Sequence, residues 1–172
     1  MAFINVGMQA QEYFVRKGLL SARATISTNY LSSLQESYHS IHGNIEAYVS
    51  DKISLSGEGY YSFTDNTLLE FNHKGFFGAN YHFFNKNNDW YIGIQPGLAY
   101  TKMRQAINTP NMQAGLNPVF SATLGYNLYF FKYFHFFVQS RLILGEHHYY
   151  PTFNVNELCL SAGLGFNINT IK

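Results

Sequence analysis

Apolar and polar residues alternate along most of this chain. In the segment 18–30, Leu20, Ala22 and Ile26 share one side while Ser21, Arg23 and Ser27 share the other. A period of two residues is typical of a β-strand whose two faces meet different environments. The same pattern recurs along the chain, and we predict eight strands at about 18–30, 41–49, 53–63, 73–84, 90–101, 119–128, 134–145 and 157–168.

The connections between these strands differ in length. Those after strands two, four and six are short, whereas those after strands one, three, five and seven are longer, the longest being 102–117. This asymmetry is typical of membrane barrels with short periplasmic turns and longer extracellular loops. Pro96, inside the fifth strand, predicts a β-bulge there.

The direction of the two faces decides between a soluble and a membrane protein. The apolar faces carry Trp90, Tyr61, Phe77 and many more large side chains, too many for the narrow interior of an eight-stranded barrel. The opposite faces are rich in Gly, Ser, Thr and Asn, which suit a narrow polar lumen. We therefore predict that Arg23 points into the lumen of an all-β, eight-stranded antiparallel transmembrane barrel. A two-sheet sandwich is the alternative fold.

Composition favours the barrel over the sandwich. Charged residues make up 12% of the 172 residues, against about 25% in typical soluble domains. The net charge of +1 excludes a broad basic field, and so we expect no nucleic-acid partner. The longest apolar runs are too short for a transmembrane helix.

Aromatic residues cluster toward the two ends of the predicted strands. Two such clusters would form the interfacial girdles of a membrane barrel. At the short-turn end they are Phe83, Phe84, Trp90, Tyr129, Phe130, Phe131, Tyr133, Phe134 and Phe166. At the long-loop end they are Tyr30, Tyr38, Tyr61, Phe63, Phe71, Tyr100, Tyr149 and Tyr150.

The N-terminal segment differs from the rest of the chain. We interpret residues 1–16 as a signal-peptide remnant and lead-in, with the mature chain beginning near Gln11, and residues 17–172 as the barrel domain. An ordinary N-terminal segment is the alternative. Cys159 is the only cysteine, so no internal disulfide can form, and we expect it to pack in the lumen.

Three stretches resemble a known family. NELCLSAGLGFNI at 156–168, WYIGIQPGLAY and LGYNLYFFKYFHFFVQSRL are similar to the small outer-membrane β-barrels of the OmpA/OmpX type, especially those of Bacteroidota. The resemblance implies a location in the bacterial outer membrane, contact with lipopolysaccharide and phospholipid, and insertion by the barrel-assembly machinery. The last strand resembles the signal which that machinery recognises, although the chain continues past Phe166 and Ile168 to Lys172.

Several histidines fall near the long-loop end, where a metal site or a catalytic site is conceivable. They are His39, His42, His73, His147 and His148, with Glu36, Glu70 and Glu146 nearby in sequence. Interfacial and loop positions explain them without a ligand. Lipid A deacylases are barrels of this size with a histidine–serine pair on the outer wall, but neither YHSIH nor GEHHYYPT contains their His-x-Ser-Asn arrangement. We predict no catalytic residue, no metal site and no cofactor.

The inward faces carry charges of both signs in equal number. Buried charges need partners in a low-dielectric interior, so we predict a lumenal charge network. Its members are Arg23, Lys74, Arg141, Glu46, Glu58 and Glu157. The hairpins bring Arg23 near Glu46 and Arg141 near Glu157, and we expect these two ion pairs. We also expect an arginine to be costly at lipid-facing Leu98 and less costly at lumenal Thr123.

The function predicted from these observations is a non-enzymatic outer-membrane barrel. Its role would be structural, in surface interaction, or as a subunit of a larger outer-membrane complex. A lipid A-modifying enzyme of the deacylase or acyltransferase type and a narrow channel for small solutes are the alternatives.

Overall fold

The computed structural model describes residues 17–63, 68–84, 86–104, 113–149 and 153–170. Each strand pairs antiparallel with its sequence neighbours, and the last pairs with the first, so the sheet closes into a barrel. The strands are β1 (Leu19–Leu31), β2 (Glu36–Tyr48), β3 (Ile53–Ser62), β4 (Leu69–His82), β5 (Asn88–Met103), β6 (Gly115–Tyr129), β7 (Phe134–Gly145) and β8 (Glu157–Asn169). The predicted fold class is confirmed. The proposed N-terminal remnant, 1–16, lies outside the described residues and stays a prediction.

The described part of the chain forms no helix long and apolar enough to span a membrane.

The two faces of the sheet are inverted relative to a soluble protein. Ile26 and Phe77 on the outer wall are each 63% exposed, whereas Arg23, on the same strand as Ile26, is 4% exposed. A closed sheet satisfies its backbone hydrogen bonds without water, so an apolar outer wall is stable in lipid. The prediction that Arg23 points inward is therefore confirmed, and the barrel spans a membrane.

Among the described residues of the predicted girdles, all but two lie on the outer wall, and Tyr150 lies outside the described residues. Trp90, Phe131 and Phe134 stand exposed at the short-turn end, and Tyr61 and Phe63 at the long-loop end. Tyr38 and Tyr129, by contrast, are buried in the lumen, at 1% and 2% exposure. Strand parity places both side chains on the inner face, so assigning them to the girdles was wrong.

One connection is shorter than the sequence suggested. Only residues 32–35 join β1 to β2, so this end of the barrel has three longer loops instead of four. The strands extend further because 36–40 also alternates, with polar Ser37 and His39 facing outward, which hid the pattern. The loops 63–68, 104–114 and 146–156 remain longer than the turns 49–52, 83–87 and 130–133.

Pro96 does not produce the predicted bulge. Pairing between β4 and β5 is interrupted beside it, between the Phe76–Gly97 and Ala79–Ile94 pairs, but resumes in the same register. The missing N–H of proline therefore removes local pairing without adding a residue. The register shift between these strands lies at Leu69/Phe71 instead.

Candidate functional site

The lumen is filled by side chains of the inward faces. All six residues of the predicted charge network point inward, and none is more than 7% exposed. Aromatic rings fill the space between the charges; the residues are Tyr38, Tyr48, Tyr60, Phe76, Tyr91, Tyr129 and Phe137. The charges form three groups along the barrel axis.

The group nearest the short turns, which we call the inner group, is built around Arg23 and Glu46. Their side chains form a buried ion pair, as the β1–β2 hairpin predicted. Ser54 Oγ donates to Glu46 Oε1 at 2.5 Å and Asn80 Nδ2 donates to the same atom at 2.7 Å. Arg23 Nη1 also donates to Tyr91 Oη at 2.9 Å. This last bond joins β1 to β5, on opposite sides of the barrel.

The middle group is built around Glu58. Arg141 Nη2 lies 2.6 Å from Glu58 Oε1, and Gln139 Nε2 donates to Glu58 Oε2 at 2.8 Å. Gln95 Nε2 and His42 Nε2 approach the same carboxylate at 3.1 and 3.0 Å. Glu58 lies on β3 whereas Arg141 and Gln139 lie on β7, so these contacts also cross the lumen.

The group nearest the loops, which we call the outer group, is built around Lys74 and Glu157. They form a buried ion pair between β4 and β8, again on opposite sides of the barrel. Tyr38 Oη donates to Glu157 Oε1 at 2.7 Å, and Asn72 Nδ2 donates to Glu157 Oε2 at 3.0 Å. Cys159 Sγ lies 3.1 Å from Glu157 Oε1, so the expected lumenal packing of this cysteine is confirmed.

The predicted pair of Arg141 and Glu157 is therefore wrong. Their strands are adjacent, and Arg141 is opposite Cys159 in the register. Arg141 and Glu157 each find a partner across the lumen instead, because an eight-stranded barrel is narrow enough for long side chains to meet from opposite walls.

The inner and middle groups belong to one hydrogen-bonded network. Tyr91 Oη accepts from Arg23 and donates to Gln139 Oε1 at 2.8 Å, and Gln139 in turn donates to Glu58. The outer group adjoins it through Tyr60, whose ring centroid lies 5.1 Å from Lys74 Nζ. The interior thus holds polar groups that bind one another.

Two further ionisable residues belong to the inner group and were missed. His82 Nδ1 lies 2.6 Å from Asp89 Oδ2, and His82 Nε2 lies 3.3 Å from Glu46 Oε1. The alternation of inward and outward residues along the strands places both side chains on the inner face. His82 is inward on β4, and Asp89, which immediately precedes the predicted start of the fifth strand, is inward on β5.

The order Ser54, His82, Asp89 resembles a nucleophile, a base and an orienting acid, since Ser54 Oγ lies 2.9 Å from His82 Nε2. The surroundings oppose catalysis. Carboxylates face both nitrogens of the ring, so Nε2 is shared between Ser54 and Glu46 and is not a free base for the serine hydroxyl. Ser54 donates its hydrogen bond to Glu46, and the side chains of this group are buried. The cluster is a structural ion group.

The histidines near the loops do not form one site. His42 faces the lumen, whereas His39 and His73 lie on the outer wall. Over the ranges that the structure describes, no group of three or more His, Cys, Asp or Glu side chains is placed to hold a metal ion. A hydroxyl–imidazole contact does occur on the outer wall, where Thr28 Oγ1 lies 3.3 Å from His39 Nδ1.

Comparison with known proteins places the fold. No family model matches the chain, and no curated protein matches it. Among solved structures, the N-terminal β-barrel domain of Pseudomonas aeruginosa OprF aligns with a TM-score of 0.65 and 14% identity over 89% of this chain and 99% of that one. The P. aeruginosa outer membrane protein OprG gives 0.63 and 11% over 90% and 97%.

A third neighbour, neisserial surface protein A (NspA), gives a TM-score of 0.61 and 12% identity over 89% of this chain and 97% of that one. These neighbours do not support the expected similarity to Bacteroidota in particular. Their barrel fold is consistent with the apolar outer wall and the aromatic girdles described above. The chain therefore has the fold of the small, eight-stranded OmpA/OmpX-type barrels. Its lipid-facing wall makes it an integral membrane protein, and even-numbered antiparallel barrels of this kind belong to the bacterial outer membrane.

Proposed function

We propose that this protein is a non-enzymatic barrel with a closed lumen, whose role is carried by its loops and its outer wall. The observation that carries the proposal is the set of contacts across the lumen, between β1 and β5, β3 and β7, and β4 and β8. A solute would have to break several buried ion pairs to pass. Such a barrel serves the envelope as an anchored scaffold that presents its loops outside.

Conductance in planar lipid bilayers tests the closed lumen. The wild type is expected to insert without steady conductance steps. The double variant Glu58→Ala/Arg141→Ala removes both members of a cross-lumen pair without leaving a lone charge, and we expect it to conduct more than the wild type. A large, steady conductance in the wild type would favour the channel alternative.

The outer face supports a surface or subunit role within the same proposal. Glu146, His148 and Tyr149 are exposed in the β7–β8 loop. Lipopolysaccharide around the wall, a larger outer-membrane complex and the barrel-assembly machinery are the proposed partners. Purification in mild detergent tests the complex: we expect a stable companion protein if the role is that of a subunit, and none if the barrel acts alone.

The Thr28–His39 contact favours a lipid-modifying enzyme, as does the contact of Ser62 Oγ with His73 Nδ1, also at 3.3 Å. Mass spectrometry of lipid A compares a deletion strain with strains complemented by the wild type or by His39→Ala. A non-enzymatic barrel leaves lipid A unchanged in all three. A modification that requires the wild type and is lost with His39→Ala would support the enzyme instead.

A further inference from the structure

Exposed lysines surround the short-turn end of the barrel. Lys17 lies two residues before the start of β1, while Lys52, Lys86 and Lys132 lie in the three short turns, and all four are exposed. The turns follow one another around the circumference at intervals of two strands. The only exposed acid of these described turns and the lead-in is Asp51, whose Oδ1 accepts the backbone N–H of Lys17 at 3.0 Å. We call these four lysines the lysine ring.

The opposite end of the barrel has a different charge balance. Its described loops and strand ends carry Glu36, Glu70 and Glu146 against Lys102 and Arg104. Lys102 Nζ is already paired there with Glu70 Oε1 at 2.9 Å. Between the two ends the described outer wall is uncharged, so the positive potential of the lysine ring is confined to one membrane surface.

Aromatic residues fix the depth of the lysine ring. Phe83, Phe84 and Trp90 flank the turn that holds Lys86, and Lys132 Nζ lies 5.3 Å from the ring centroid of Tyr133. Such rings occupy the boundary between acyl chains and headgroups. The ammonium groups therefore stand at the level of lipid phosphates, where each basic residue near the surface attracts anionic lipid.

We propose that the lysine ring binds the headgroups of anionic phospholipids, such as phosphatidylglycerol, in the leaflet that contacts the short turns. The ligand is a phosphodiester attached to acyl chains. The ammonium groups neutralise the phosphate while the neighbouring aromatic side chains contact the chains. This inference rests on the barrel lying in a membrane and is independent of the closed lumen. A conductance result that contradicts the closed lumen would therefore leave the lipid-binding proposal standing, and the reverse also holds.

Trp90 reports on this surface directly. It is the only tryptophan, it is 47% exposed on the outer wall, and it lies near the start of β5, just after the Lys86 turn. The β6–β7 turn with Lys132 is adjacent, because Tyr129 N–H donates to the Asn87 carbonyl at 2.8 Å. Chain-brominated lipids quench tryptophan on contact, so Trp90 measures which lipid occupies this position.

The test compares quenching by brominated phosphatidylglycerol with quenching by brominated phosphatidylcholine in reconstituted vesicles. For the wild type we expect a relative binding constant of about 2 to 5 in favour of phosphatidylglycerol. The variant Lys86→Gln/Lys132→Gln is expected to bring it close to one, and 0.5 M salt is expected to lower it in the wild type about as far.

Lys102→Gln is the matched control, because Lys102 lies at the loop end of β5, the strand that carries Trp90 at its short-turn end. It is expected to leave the ratio unchanged. Equal quenching of the wild type by both lipids would overturn the proposal. A preference that survives in Lys86→Gln/Lys132→Gln would also overturn it, since the lysines would then not be its cause.

Discussion

Arg141 and Glu58 form an ion pair of 2.6 Å across the lumen, although they belong to strands on opposite sides of the barrel. Both are buried, so removing one partner leaves the other charge uncompensated, at a cost of about 3–5 kcal/mol. We predict strong coupling between them. A double-mutant cycle of Arg141→Met and Glu58→Gln, measured by reversible unfolding from lipid vesicles, is expected to give a coupling energy above about 1 kcal/mol.

The matched control cycle combines Arg141→Met with Glu157→Gln. Glu157 is on the neighbouring strand but pairs with Lys74, so we expect this second coupling energy to be clearly smaller. A larger coupling to Glu157 than to Glu58 would contradict the pairing across the lumen.

These ion pairs mark the limit of what the sequence could predict. Parity identified all six charged residues of the predicted network, because a period of two separates lipid from lumen. Hairpin symmetry then gave Arg23–Glu46, whose strands are adjacent. It failed for Arg141, because rules for neighbouring strands do not describe a side chain that crosses a closed barrel. Barrel diameter decides whether two side chains can make that contact, and the diameter is a property of the whole closed sheet rather than of a local stretch of sequence.

The ends of the strands were also harder to predict from the sequence than their centres. Alternation gave all eight strands, but the extension of β2 back to Glu36 was missed because outward Ser37 and His39 are polar. Near the membrane surface both faces of a strand are polar, so the periodic signal fades where the lipid ends. For the same reason Asp89 was assigned to a turn, and the His82–Asp89 contact went unnoticed.

The inner ion group predicts a rescue experiment. His82 lies between Asp89 and Glu46, and its replacement by glutamine removes the imidazole that separates two buried carboxylates. We expect His82→Gln to destabilise the barrel by about 3 kcal/mol or more. Adding Asp89→Asn removes one of the two negative charges, so the double variant is expected to be more stable than His82→Gln alone.

Unfolding from vesicles at pH 7 measures both variants. The rescue distinguishes charge balance from packing, because Asp89→Asn restores no volume at position 82. If the double variant were less stable than His82→Gln, the role of His82 in separating the two carboxylates would be excluded.

Closure of the sheet by the β8–β1 pairing predicts heat modifiability. A barrel with no free edge has no strand at which detergent can start to unzip the hydrogen bonds, so it resists SDS until it is boiled. Unboiled and boiled samples are therefore expected to migrate differently on a gel. Equal mobility of both samples, together with full extraction by carbonate, would contradict a membrane barrel.

The cost of a charge on the outer wall is expected to depend on depth. Leu98 is 49% exposed and lies well inside β5, whereas Leu20 is the second residue of β1, at the short-turn end. Arginine costs about 2–4 kcal/mol at the middle of the bilayer and about 0–1 kcal/mol near its surface. We expect Leu98→Arg to fall in the first range and Leu20→Arg in the second, measured by unfolding from vesicles.

The packing around Thr123 changes the effect expected of an arginine at this lumenal position. Thr123 is 4% exposed and lies opposite Arg141 in the β6–β7 register, so an arginine there would meet both a filled space and a like charge. We now expect Thr123→Arg to be costly as well, by overpacking and repulsion. Thr123→Ser is the control, because it keeps the hydroxyl and adds neither volume nor charge, and it is expected to change stability little. The depth dependence of the two leucines therefore carries the test: if Leu20→Arg proved as damaging as Leu98→Arg, the lipid-facing assignment of this wall would be wrong.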